Sequence, residues 1–171
     1  YAEFWATVIN VLFLSYDITS SYKSFKENVA MMLDIEKIFS LYQVTKILKY
    51  MKIDSYENLI DRSRLYEEKT NAFAYYIVKT ILLYHYDDFL SFCHEYNPPK
   101  NPILFYKSPG NLRHFFDFIL KYYQEEDMIK DFRAMELISR DVKTFDNVLL
   151  STPSNLATIL TPFSDALLIA D

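Results

Sequence analysis

One residue of the 171 is a glycine, Gly110. That scarcity constrains the fold more than any other feature of the chain. Tight hairpins, phosphate-binding loops and strand-to-helix elbows use glycine to reach positive φ without a steric penalty. A β-rich or doubly wound domain is hard to build with one such position, whereas helices need few. A chain of this length buries roughly 70% of the surface its unfolded form exposes. With 51% hydrophobic residues it has the material for its own core. The expectation is therefore an all-α domain.

Capping signals divide the chain into successive helices. A first helix spans residues 3–16, ended by 17–21, where Ser20 or Ser21 is placed to cap a second helix running to residue 33. Asp34 is read as the cap of a third, residues 35–53. In that segment Val44, Ile47, Leu48 and Met51 recur at i, i+3, i+4 and i+7 as one buried stripe. Asp54 and Glu57 have the spacing of a capping box for a fourth helix, 54–68. The longest and most apolar helix is expected over 72–96, at the centre of the domain. Residues 97–110 form a loop with Pro98, Pro99 and Pro102, closed by the turn Ser108-Pro109-Gly110-Asn111. Asn111 is read as the cap of a sixth helix with the stripe Leu112, Phe115, Phe116, Ile119 and Tyr123. Asp127 is read as the cap of a seventh, carrying Met128, Phe132, Met135 and Ile138. Thr152-Pro153 and Thr161-Pro162 each place a capping residue before proline at a helix start.

The result is about seven to nine helices in a single domain spanning 1–171. Loop 97–110 separates an N-terminal five-helix part from a C-terminal part. Short connections favour an antiparallel multi-helix bundle. A faint echo at a forty-residue offset pairs Tyr75-Tyr76 with Phe115-Phe116, and Phe92 with Phe132. That offset allows a short HEAT- or armadillo-like repeat array instead. The chain starts at Tyr1 and stops after the apolar run 166–170, so a piece of a longer protein is expected.

The chemistry-bearing motifs are missing. There is no Gly-x-Ser-x-Gly elbow, no Walker loop, no Gly-x-Gly-x-x-Gly, no Cys-x-x-Cys and no Glu-x-x-His. Cys93 and His94 are adjacent, which points them about 100° apart on a helix, and His85 stands nine residues from His94. No metal, cofactor or catalytic residue is expected, and the chain is read as non-enzymatic. His85 lies on a seam with Val78, Leu82, Phe89, Phe92 and Tyr96 and is read as a packing residue. The acidic runs Asp87-Asp88 and Glu125-Glu126-Asp127 are read as solvated helix ends.

A net charge of −5 works against general affinity for nucleic acid or anionic membrane. The apolar stretch 72–86 is interrupted by Lys79 and His85 and falls short of a membrane span. A lone cysteine and the absence of an Asn-x-Ser/Thr sequon point to an intracellular setting, cytoplasmic or nuclear.

What remains is a scaffold or adaptor domain that binds another protein. Its strongest local departure from the net charge is Lys46, Lys49, Tyr50 and Lys52, with Arg62 and Arg64 and the neighbouring Tyr56. That face suits an acidic segment. Phe105 and Tyr106, apolar between prolines, form an alternative partner-binding loop. Two other functions fit the same residues: a nucleic-acid-associated module using the basic face, and an aromatic-lined pocket for an apolar ligand. The second draws on an aromatic content of 18%, which a biased base composition also produces.

Overall fold

The computed structural model describes residues 1–19, 21–60 and 72–141. Among these, seven helices and no strand occur: α1 (Ala2–Asp17), α2 (Tyr22–Tyr50), α3 (Tyr56–Ile60), α4 (Ala72–Tyr84), α5 (Tyr86–Tyr96), α6 (Pro109–Tyr122) and α7 (Glu126–Asp141). The fold is all-α and multi-helical. The helices expected near residues 153 and 162 fall outside the described residues, as does the second half of the segment 54–68.

The centre of the domain is α2, not the segment 72–96. It packs against α1, α4 and α7, and its 29 residues make a rod about 43 Å long. Asp34 does not cap a new helix there. It lies in the exposed interior of α2 and pairs with Lys37 Nζ at 3.0 Å, one turn on. An aspartate so engaged, with its side chain in water, does not compete for the backbone, so the two expected helices are one. The start is capped as read: Ser21 Oγ accepts from the Ser24 N–H at 3.2 Å. The end is a Schellman closure, in which Ile53 N–H reaches Leu48 O and Lys52 N–H reaches Lys49 O. Its left-handed position belongs to Lys52, at φ 58, where helices usually place glycine.

The segment 72–96 is two helices. The chain breaks at His85, whose φ of −104 and ψ of 46 are not helical. Three further caps are displaced from their expected places, one residue later than Asp54, three before Asn111 and two before Asp127. Ser55 Oγ accepts from Asn58 N–H, Ser108 Oγ from Asn111 N–H, and Glu125 Oε2 from Met128 N–H. Pro109 then occupies the first turn of α6, where its missing donor is harmless.

Two kinds of interior result. Where α1, α5 and α6 meet, rings pack on rings. Phe89 has its centroid 4.7 Å from Phe4, 5.5 Å from Phe118 and 5.8 Å from Phe92. Tyr1 joins them, 4.9 Å from Phe105. Tyr56, fully buried, stacks on Phe132 at 4.0 Å and ties α3 to α7. The inward stripe of α6 is rotated from the expected one, with Phe118 and Tyr122 buried while Leu112 and Phe116 are exposed. Ile138 of α7 is exposed as well.

Around α1, α2 and α4 polar side chains are buried among the apolar ones. Thr7 and Ser15 of α1, Glu36, Ser40 and Gln43 of α2, and Lys79 and Thr80 of α4 are all buried. The three α2 residues are spaced i, i+4 and i+7 and share one face.

Candidate functional surfaces

The outer side of α1 is as apolar as its buried side. Ala2, Ala6, Ile9, Leu12, Phe13, Leu14 and Tyr16 are exposed, and the only charges on that face are Glu3 and Asp17 at its two ends. Phe13 is 67% and Tyr16 73% exposed. Ile9, Leu12, Phe13 and Tyr16 follow the i, i+3, i+4, i+7 spacing of a packing stripe, here turned to solvent. Ile18 and Tyr22 extend the apolar surface across the α1–α2 turn. Monomeric proteins seldom show a continuous apolar face of this extent without a use for it.

A separate cleft of about 520 Å3 lies between the first half of α2 and the junction of α4 with α5. Phe25, Val29, Ala30 and Leu33 form one wall, and residues 83–88 the other. His85 stands in the second wall. Its ring lies 4.1 Å from Tyr122 and 5.2 Å from Tyr84, and its buried Nε2 has no hydrogen-bond partner. Burial pushes its pKa below the ordinary histidine value, while Glu125 and Asp88 pull it up and Lys121 lowers it further. The ring sits at a helix break rather than on the seam expected from a continuous helix.

The basic-aromatic face is partly assembled. Lys49, Tyr50 and Lys52 are exposed at the C-terminal end of α2. Lys46 is half-buried, with Nζ 5.8 Å from the Tyr42 ring. Tyr56 points inward. Arg62 and Arg64 lie outside the described residues. In the proline-flanked loop, Phe105 turns into the aromatic core against Tyr1 and Phe115, while Tyr106 is exposed. Asn97 holds this loop by donating to Tyr1 Oη at 2.6 Å and to the Pro102 carbonyl.

Among the described residues no group of three or more His, Cys, Asp and Glu side chains is placed to hold a metal. Cys93 is buried beside Tyr1, and His94 faces solvent. Among the same residues no helix is long and apolar enough to cross a membrane.

The apolar stripe of α1 is visible in its spacing, but spacing does not show that it faces outward. The cleft is not visible in the sequence, since its walls are about fifty residues apart. No family model, curated protein or solved structure matches the chain.

Proposed function

We propose that this chain is a non-enzymatic helical interaction domain, a scaffold or adaptor that binds another protein. The observation that supports this is the outer face of α1. A helix apolar on all sides belongs inside a structure, and among the described residues α1 is covered on one side only. A partner completes the burial. Fully burying a side chain the size of Phe or Leu stabilises by about 1.5–3 kcal/mol, so a few such residues suffice for a specific complex.

On this reading the working surface is the α1–α2 hairpin rather than Lys46–Lys52 or the loop at Tyr106. The test compares three folded variants for retention of proteins by the immobilised chain. Phe13→Asp with Tyr16→Asp is expected to lose the retained protein. Lys49→Glu with Lys52→Glu, and Tyr106→Ala, are expected to keep it. Retention that survives the hairpin changes but is lost with the lysine reversals would move the surface to the basic face. Retention lost only with Tyr106→Ala would move it to the loop.

A further inference from the structure

We propose that the cleft between α2 and the α4–α5 junction receives a basic amphipathic helix of a partner protein. This rests on the interaction-domain reading above and adds the chemistry of the partner.

The shape comes first. Phe25, Val29 and Leu33 are spaced i, i+4 and i+8, so the α2 wall presents an apolar row. From Phe25 to Lys37 that wall extends 12 residues, about 18 Å along the helix axis. A trough between helices, three turns long and floored by aliphatic side chains, matches the apolar stripe of a docked helix. At about 520 Å3 it has room for several aliphatic side chains.

The charged residues lining the cleft are Lys26 and Lys37 against Asp34, Asp87 and Asp88, a small acidic excess. Asp87 and Asp88 line the cleft in the first turn of α5. Glu125, Asp127 and Asp131 stand just behind them. Tyr84 Oη donates to Asp131 Oδ2 at 2.8 Å. The Tyr84 hydroxyl is held above its ordinary pKa by burial first, then by Asp131, Glu125 and Asp127. The two acidic runs, distant in sequence, therefore meet at one rim. Each also stabilises its own helix start, but that leaves their negative field outward.

Of the two lysines in the lining and Lys121 on α6, Lys37 is neutralised by a carboxylate and the other two rest on tyrosines. Lys37 pairs with Asp34 and lies 5.5 Å from the Tyr84 ring. Lys26 lies over Tyr22, and Lys121 Nζ donates to Tyr122 Oη at 2.7 Å. A partner helix with leucines on one face and lysines along one edge would fill the trough and meet Asp87 and Asp88. An acidic helix would be repelled.

The test uses the full chain and two labelled peptides of about 14 residues, nearly four helical turns. One carries leucines at i, i+3, i+4 and i+7 with lysines elsewhere. The other has glutamates in place of the lysines. The lysine peptide is expected to bind saturably, more weakly as salt rises, and at least about tenfold more tightly than the glutamate peptide. Asp87→Lys with Asp88→Lys should reverse that preference. The milder Asp87→Asn with Asp88→Asn should reduce it while keeping the helix start neutral. Leu33→Gln should weaken both peptides.

Equal affinity for the two peptides, or no binding of the lysine peptide, would overturn the proposal. So would binding that is lost with Phe13→Ser and Tyr16→Ser but kept in the cleft variants, because the peptide would then lie on α1. Dimerisation of the chain that Leu33→Gln abolishes would assign the cleft to a second copy, and would overturn it too. None of these results removes the interaction reading, which falls only if the immobilised chain retains no protein or if retention survives all three sets of variants.

Discussion

The aromatic end of the domain and the α1–α2–α4 seam are built on opposite plans. At the aromatic end apolar rings point in and close on one another, from Phe4 through Phe89 to Phe118. Along the seam, polar side chains point in while the far side of α1 turns Leu12, Phe13 and Tyr16 outward. The same helix takes part in both, with Phe4 at one end and Ser15 at the other. The first arrangement is a core that stands alone. The second carries the cost of buried polar groups, and its best apolar surface is left outside. The difference teaches that, among the described residues, burial along α1 is incomplete and the uncovered part faces outward.

The largest effect should come from the self-sufficient region. Phe89→Ala removes the ring that touches Phe4, Phe92 and Phe118, and should lower unfolding free energy by about 3–5 kcal/mol in a urea titration. A loss below about 1 kcal/mol would mean the aromatic end is loosely packed, and the contrast would fail.

Next comes the ion pair in the seam. Lys79 Nζ lies 3.6 Å from Glu36 Oε2, with both side chains almost wholly enclosed. Burial pushes the Glu36 pKa up and the Lys79 pKa down, each opposed by its partner's charge. Lys79→Met leaves an uncompensated carboxylate and should cost on the order of 3 kcal/mol at neutral pH. The sign of the pH dependence follows. A carboxyl raised in the folded state takes up a proton more readily there than in the unfolded chain. The penalty in Lys79→Met is thus full above the folded pKa and fades as pH falls towards the ordinary value of 4.5. Glu36→Met combined with Lys79→Met should recover most of the loss. Thermal melts between neutral and mildly acidic pH check all three statements, and a penalty that grows on acidification would contradict them.

Gln43 should show a smaller effect of opposite sign. It is fully buried, and neither amide atom has a hydrogen-bond partner; Ser40 Oγ is in the same position. Gln43→Leu removes two unmet polar groups and should raise stability by about 1–2 kcal/mol. A destabilised variant would show that the amide serves a contact within the seam. The smallest effect belongs to the outer face. Phe13→Ser with Tyr16→Ser should change the stability of the isolated chain by no more than about 0.5 kcal/mol per site. A larger loss would mean that these rings already pack against the chain, and would remove the ground for a partner there.

The helical class was legible because one glycine and a series of caps point the same way. The first helix, the Ser21 cap and the apolar character of Met128 and Phe132 were legible for the same local reasons. Asp34 misled because aspartate suits a cap and an exposed interior turn alike, and only the Lys37 pairing distinguishes them. The break at His85 carries no proline or glycine to announce it. It comes with tertiary packing, the imidazole lying against Tyr122 of α6. The inward stripe of α6 was misread because Leu112, Phe115, Phe116, Phe118 and Tyr122 are all apolar, and periodicity alone cannot choose among faces when most of them qualify. The cleft and its acidic rim depend on residues 25–37, 83–88 and 125–131 coming together, which spacing along a sequence does not encode.

The outward face of α1 also bears on how such a chain lives in a cell. A surface that is covered only in a complex is, before assembly, the kind of surface that aggregates or is taken up by chaperones and proteases. On the reading proposed here, newly made copies without a partner are cleared and assembled copies persist. The steady amount of this protein would then be set by the supply of its partner rather than by its own rate of synthesis. Overproducing it alone would yield little more of it.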